Sequence, residues 1–273
     1  MEPRSSNFRF QIPNVERASW GSLGFADKRY TLLNLRLERF QLCRSIRYAL
    51  MVFFGCGVYY WVMKMHTNTG GLAATNAYLI ADETTGDAAI IDAPQNTLQP
   101  LLHVARHHQW NIRYLLLTHG HWDHISDHQV LTDAYPNAKV LIHQLDEPKL
   151  IKPGSLIFSL PYTIPPRKAD GYLEDGNSIH IGNLEFQIIF TPGHSPGHVA
   201  LYCPGQSLLM AGDLLFAGAI GRTDLPDSDP AEMEKSLMRV AELPEETAVR
   251  PGHGPPTTIG KEKMSNPFLT HWT

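Results

Sequence analysis

Between Thr118 and His128 the chain reads THGHWDHISDH, placing four histidines and two aspartates within eleven residues. His119 and His121 are two apart, so in an extended segment both side chains face one way and address one centre. Asp123 and His124 open the next turn and address a second centre nearby. Imidazole and carboxylate donors together suit zinc, iron or manganese. Four residues are too few for two ions, and three later positions supply what is missing. His194 lies in FTPGHSPGH, Asp213 in LLMAGDLLF and His253 in VRPGHGP. Each follows an apolar run and a glycine-containing turn, and glycine lets a backbone bend sharply and approach a metal closely.

The elements that position these residues follow from the patterning. Asn76–Ala81 and Ala88–Pro94 read as a strand pair turning at Gly86. Asn96–Gln109 reads as a helix with Leu98, Leu101, Leu102 and Ala105 on one face. Leu115–Leu117 is a buried strand that stops where the histidine cluster starts, the place where α/β proteins put chemistry. A helix is expected over Asp127–Tyr135, with Ile125–His128 as its polar start, and a strand over Lys139–His143. Leu145–Asp175, with five prolines, reads as an irregular loop or lid. Strands are expected at Ser178–Ile181, Leu184–Phe190, His198–Cys203, Leu208–Ala211 and Thr247–Arg250. Between the last two lies a helix, Pro230–Leu243, capped by Asp229. Strands on both sides of helical segments predict two sheets with helices outside.

THGHWDH, TPGHSPGH, AGD, GRTD and PGHGPPTTIG, in this order, are similar to the motifs of metallo-β-lactamase-fold hydrolases, and resemble their glyoxalase II-like branch. The resemblance covers roughly Met63 to Leu269. It implies an α/β fold, a four-layer αβ/βα sandwich of two mixed sheets with helices on the outer faces. It also implies two divalent metal ions, with zinc expected and iron or manganese as alternatives. His119, His121 and His194 match the first-metal ligands, and Asp123, His124 and His253 the second. Asp213 matches the bridging carboxylate. Two cations about 3.5–4 Å apart hold a bridging hydroxide and clamp both ends of a displacement. The implied reaction is hydrolysis of a thioester such as S-lactoylglutathione, with Asp123 orienting the hydroxide.

The pattern also departs from the family. The helical C-terminal domain that holds glutathione in typical glyoxalase II enzymes does not follow His253, which leaves the thiol carrier open. The chain is similar instead to short, single-domain hydroxyacylglutathione hydrolase-like proteins. Arg222 stands where a cationic residue contacts the substrate carboxylate in the thioesterases, but it matches by charge only, and Asp224 stands where a tyrosine is expected. A structured turn held by Arg222 and Asp224 is the competing reading. Two further activities share the fold. A lactonase would use the same ligands. A mononuclear iron persulfide dioxygenase would use His119, His194 and Asp213 as a facial triad. Subclass B1 β-lactamases are excluded because they carry cysteine at the position of Asp213.

Other titratable residues read as bystanders. His198 is expected to support a ligand, and His128 to lie on a helix surface. His103, His107 and His108 are expected in solvent. Trp122 is expected to shield the site. Lys149, Lys152, Arg167 and Lys168 lie in or near the lid, where they would meet an anionic substrate or simply be solvated.

The formal charge of −4 divides into +5 over residues 1–47 and −9 over the remainder. That gives no reason to expect a nucleic-acid partner; a small (thio)ester is the expected one. Residues 1–58 read as a basic and apolar N-terminal extension, and 59–273 as the catalytic domain. Tyr48–Met63 is sixteen residues without a charge, shorter than the 18 or more of a spanning helix and interrupted by two glycines. Membrane association through 48–63 is therefore not favoured, and Tyr59–Met65 reads as the first strand. Met63 and Met65 are alternative starts that would leave the extension out of the product. Three cysteines with no CxxC pair exclude a disulfide framework and fit a cytoplasmic setting.

Overall fold

A computed structural model describes residues 63–270. The expectations for residues 1–58 and for the apolar run before Met63 fall outside the described residues. The first sheet holds β1 (Met63–Gly70), β2 (Thr75–Asp82), β3 (Asp87–Ile91), β4 (Asn111–Leu116), β5 (Lys139–Ile142) and β6 (Gly171–Tyr172), in that order. The first two pairings are antiparallel and the last three parallel. The second sheet is built from β7 (Ser178–Ile181), β8 (Leu184–Phe190), β9 (Val199–Cys203) and β10 (Leu208–Gly212). A small hairpin, β11 (Leu215–Phe216) and β12 (Ala219–Ile220), precedes its last strands, β13 (Ala248–Pro251) and β14 (Thr257–Thr258). Its order is β14-β13-β10-β9-β8-β7, and only β10 and β13 run parallel.

Alternation along the strands creates three apolar layers. Ile80 and Ile91 of the first sheet meet Ile181, Phe186 and Leu201 of the second, forming the core between sheets. Leu79, Ile90 and Leu115 face the other way, onto α1 (Leu98–His107) and onto Leu131. On the far side, Leu209 and Ala211 pack against Met233, Leu237 and Ile259. Those belong to α5 (Pro230–Ala241) and α6 (Ile259–Ser265). This is the expected four-layer sandwich.

Two local expectations are corrected. The cluster does not run into one helix: α2 (Trp122–Ile125) stops, and α3 (His128–Ala134) starts afresh. The break has a cause. Asp127 turns inward, and its Oδ2 accepts the amides of Thr97 at 3.1 Å and Leu98 at 3.3 Å, capping α1. Leu145–Asp175 is also more ordered than its prolines suggest, since it contains α4 (Glu147–Ile151) and β6.

The cap on α5 is as expected: Asp229 Oδ1 accepts the amides of Ala231 at 2.9 Å and Glu232 at 3.2 Å. Asp229→Ala is predicted to cost about 1 kcal/mol. Thermal unfolding should then show a drop in Tm of about 2–4 °C.

Candidate metal centre

All seven proposed ligands stand at strand ends along one edge of the sandwich. β4 leads to His119 and His121, and α2 carries Asp123 and His124 in its single turn. β8, β10 and β13 lead to His194, Asp213 and His253. The ligand atoms fall into three overlapping groups, each within 4.8 Å: His119, His121 and His194; His119, His124 and Asp213; Asp123, His124 and His253. Asp213 reaches toward both outer groups. Its Oδ2 is 3.4 Å from His194 Nε2 and 3.2 Å from His253 Nε2, and its Oδ1 is 3.3 Å from His124 Nε2. Asp123 Oδ2 lies 3.3 Å from His253 Nε2.

The close approach depends on glycine. A Cβ on Gly252 would lie 2.1 Å from Asp213 Oδ1 and 2.7 Å from His124 Cε1. Gly193, at φ +136°, lets the chain turn into His194 while its Cα touches α5; a Cβ there would lie 2.3 Å from the Met233 amide.

Four of the five imidazoles have their outward nitrogen in a hydrogen-bond contact. His124 Nδ1 donates to Asp92 Oδ2 at 2.8 Å, and His194 Nδ1 to the Arg222 carbonyl at 2.9 Å. His253 Nδ1 faces the Ala73 carbonyl at 3.2 Å, and His119 Nδ1 faces Thr118 Oγ1 at 3.1 Å. For His121 the roles are reversed. Its Nε2 points to Asp227 Oδ2 at 3.4 Å, and its Nδ1 lies 2.9 Å from His194 Nε2. The inward nitrogens of His119 and His124, with Asp213 Oδ1, are buried and make no hydrogen bond. Buried polar atoms without partners are costly, so a cluster of them aimed at one place fits a bound cation.

The electrostatics point the same way. Burial opposes ionisation of Asp213, yet His124, His253 and His194 hold it well below the ordinary carboxylate range. Burial likewise opposes a low value for Asp123, but His124 and His253 bring it to about 2. Burial opposes charge on His253, while Asp123 and Asp213 raise it to about 9. The same contest raises His124 well above the imidazole range, through Asp213, Asp92 and Asp123. Burial and the neighbouring imidazoles keep His119 well below that range, hence neutral. In the metal-free protein, protons on His124 and His253 thus balance carboxylates that cations can balance instead.

The structure also places the bystanders. His198 is wholly buried; its Nε2 accepts the Asp213 amide at 3.0 Å and its Nδ1 meets Thr191 Oγ1 at 2.8 Å. It supports Asp213, as expected, and burial lowers it to about 3, so it stays neutral. His103, His107 and His108 are exposed. His128 is a correction: it is fully buried, and its Nε2 meets the Pro165 carbonyl at 2.7 Å, because α3 packs under the lid. Trp122 sits edge-on to Phe158 of the lid, centroids 5.5 Å apart. Arg222 is exposed and makes a double contact with Asp224, at 2.8 and 2.9 Å.

Four supporting residues were not foreseen. Asp92 closes β3 as the histidines close β4, so the same strand-end pattern carried its signal. Thr75 donates to Asp123 Oδ2 at 2.8 Å. Asp146 and Asp227 come from segments with no motif. Asp92→Asn tests the support for His124. Asp92 has φ +58°, which asparagine adopts readily, so the backbone is undisturbed. Metal titration should show affinity weakened about 10–100-fold.

Comparison with known proteins agrees with this geometry. Residues 70–253 match the family described as the metallo-beta-lactamase superfamily. The chain belongs to that superfamily and is a metallo-hydrolase of its fold. A relative from Haemophilus influenzae, named hydroxyacylglutathione hydrolase GloC, is 33% identical over 206 residues, covering 71% of this chain and 92% of the relative. Among solved structures, the BLEG-1 B3 metallo-beta-lactamase superposes with a TM-score of 0.67 at 34% identity, over 76% of this chain and all of that one. TTHA1623 in a di-iron-bound form superposes with a TM-score of 0.64 at 38% identity, over 75% of this chain and 100% of that chain.

Proposed function

We propose that the protein hydrolyses a small thioester of the S-(hydroxyacyl)thiol class at a two-metal site. The observation that carries this reading is the position of Asp213, whose carboxylate faces His194 on one side and His124 and His253 on the other. One carboxylate between two donor sets is what a dinuclear centre needs. The di-iron form of TTHA1623 supports double occupancy, and the name of the Haemophilus relative supports a thioester substrate. Zinc is the ion this donor set suits best, with iron or manganese as alternatives.

When bound, two divalent ions supply a nucleophilic hydroxide at neutral pH and polarise the substrate carbonyl. The chain's residues do the rest. His119, His121 and His194 form one donor set, and Asp123, His124 and His253 the other. Asp123, kept ionised and held by Thr75, would orient the hydroxide through its carboxylate. Trp122, edge-on to the lid residue Phe158, would shield this side of the site. Arg222 would bind a substrate carboxylate by exchanging it for Asp224.

The test combines metal content with a panel of S-lactoylglutathione, other acyl thioesters, lactones and a β-lactam. Two metal ions per chain and preferential thioester hydrolysis are expected. One iron per chain with sulfide-dependent oxygen uptake would establish a dioxygenase instead, and preferential lactone turnover a lactonase.

A further inference from the structure

Lys149, read from sequence as a lid cation that meets an anionic substrate or is simply solvated, is largely enclosed in the structure. Its Nζ lies 2.7 Å from Asp146 Oδ1 and 2.9 Å from Asp227 Oδ2. We propose that Lys149 is a positioning residue for His121, acting through Asp227. This rests on the two-metal reading above.

The contacts close a ring. Asp146 Oδ2 accepts the Gly120 amide at 2.7 Å, and Asp227 Oδ2 faces His121 Nε2 at 3.4 Å. Gly120 and His121 are consecutive, so one end of the ring holds the backbone by a hydrogen bond and the other sets a carboxylate against the outward imidazole nitrogen at ion-pair distance. The carboxylate on the outward nitrogen selects the tautomer whose Nδ1 faces the centre and increases its basicity as a ligand. Asp227 can do this only if it is held. Lys149 is the cation that holds it, and Asp146, wholly buried, fixes Lys149 in turn. Asp146 also accepts Ser195 Oγ at 2.7 Å and the Gly197 amide at 2.9 Å, which ties the ring to the loop of His194. The packing leaves no slack: a Cβ on Gly120 would lie 2.8 Å from Lys149 Cβ. His124 of the second donor set has a different support, Asp92, which also accepts Thr118 Oγ1 beside His119, whereas the ring touches residues of the first set alone.

The experiment is titration of the metal-stripped full chain with Zn²⁺ against a chromophoric chelator, and with Co²⁺ followed by visible absorption. Lys149→Met keeps the aliphatic stem over Gly120 and removes the charge. It should weaken one binding step about tenfold and shift the Co²⁺ bands of that step, leaving the other step unchanged. Asp227→Asn should weaken the same step, and the double variant should be no weaker than Asp227→Asn alone, because the lysine acts through the aspartate. Lys149→Arg should restore affinity. Unchanged affinity in Lys149→Met, equal weakening of both steps, or additive effects in the double variant would overturn the proposal. Should Lys149→Met fail to fold, Asp227→Asn and Lys149→Arg decide: wild-type affinity in the first, or weakened binding in the second, overturns it. A wild-type chain that takes up fewer than two ions refutes the two-metal reading itself, a result distinct from any of these.

Discussion

Asp213→Ala is expected to abolish measurable turnover and to lower metal content below two ions per chain. Removing a partner that only supports a ligand already costs about 10–100-fold in metal affinity or activity. Asp213 does more, because its carboxylate faces both donor sets. Without it, His194, His124 and His253 lose their shared anion, and the cluster becomes a collection of imidazoles with Asp123 as its remaining inward carboxylate. The fold itself should survive. The Asp213 amide still donates to His198 Nε2, and Gly252 still closes against the Gly212 carbonyl at 2.7 Å. Elemental analysis and kcat on the same preparation check the prediction. Full activity with two ions bound would refute the bridging role. Asp213→Asn refines the test, since it keeps shape and removes charge: retained metal with lost turnover would separate charge from geometry.

The seven candidate ligands were legible because they share one physical layout. An apolar run must end where the sheet ends, a glycine must let the chain turn tightly, and the next polar side chain then stands at the edge. Four such endings imply convergence only if the strands lie side by side at that edge, and the patterning of buried strands already required this. Asp92 obeyed the same rule and could have been read from AAIIDAP. The residues behind the ligands were less legible. Asp227 meets His121 only because the segment after β12 folds back over the site, and no local pattern records that return. Asp146 and Lys149 lie in a proline-rich stretch whose composition suggests a loop, although Asp146 at the N-cap of α4 and Lys149 within it bring their side chains together. His128 misled for the opposite reason. A polar residue beginning a polar helix reads as exposed, and only the distant lid, through the Pro165 carbonyl, makes its burial affordable.

Stripping the metal ions should abolish activity and lower the Tm by about 8–16 °C, and adding Zn²⁺ back should reverse both. An ion present at a thousand times its Kd stabilises the folded state by about 4 kcal/mol. For a domain of this size each kcal/mol corresponds to about 2–4 °C. The effect should depend on pH in a definite direction. In the metal-free protein His253 is raised from 6.5 to about 9 by Asp123 and Asp213, against burial. Below about pH 9 a cation must therefore displace a proton from it, so apparent affinity should rise as pH rises toward that value. The metal-free fold has the opposite sign. A group whose folded pKa is raised stabilises below its unfolded value, and that contribution is lost between about pH 6.5 and 9. Loaded and stripped protein should consequently diverge in Tm as pH rises through this window. Differential scanning fluorimetry of both forms across it is the measurement. Curves that stay parallel would show that His253 does not exchange its proton for a metal ion.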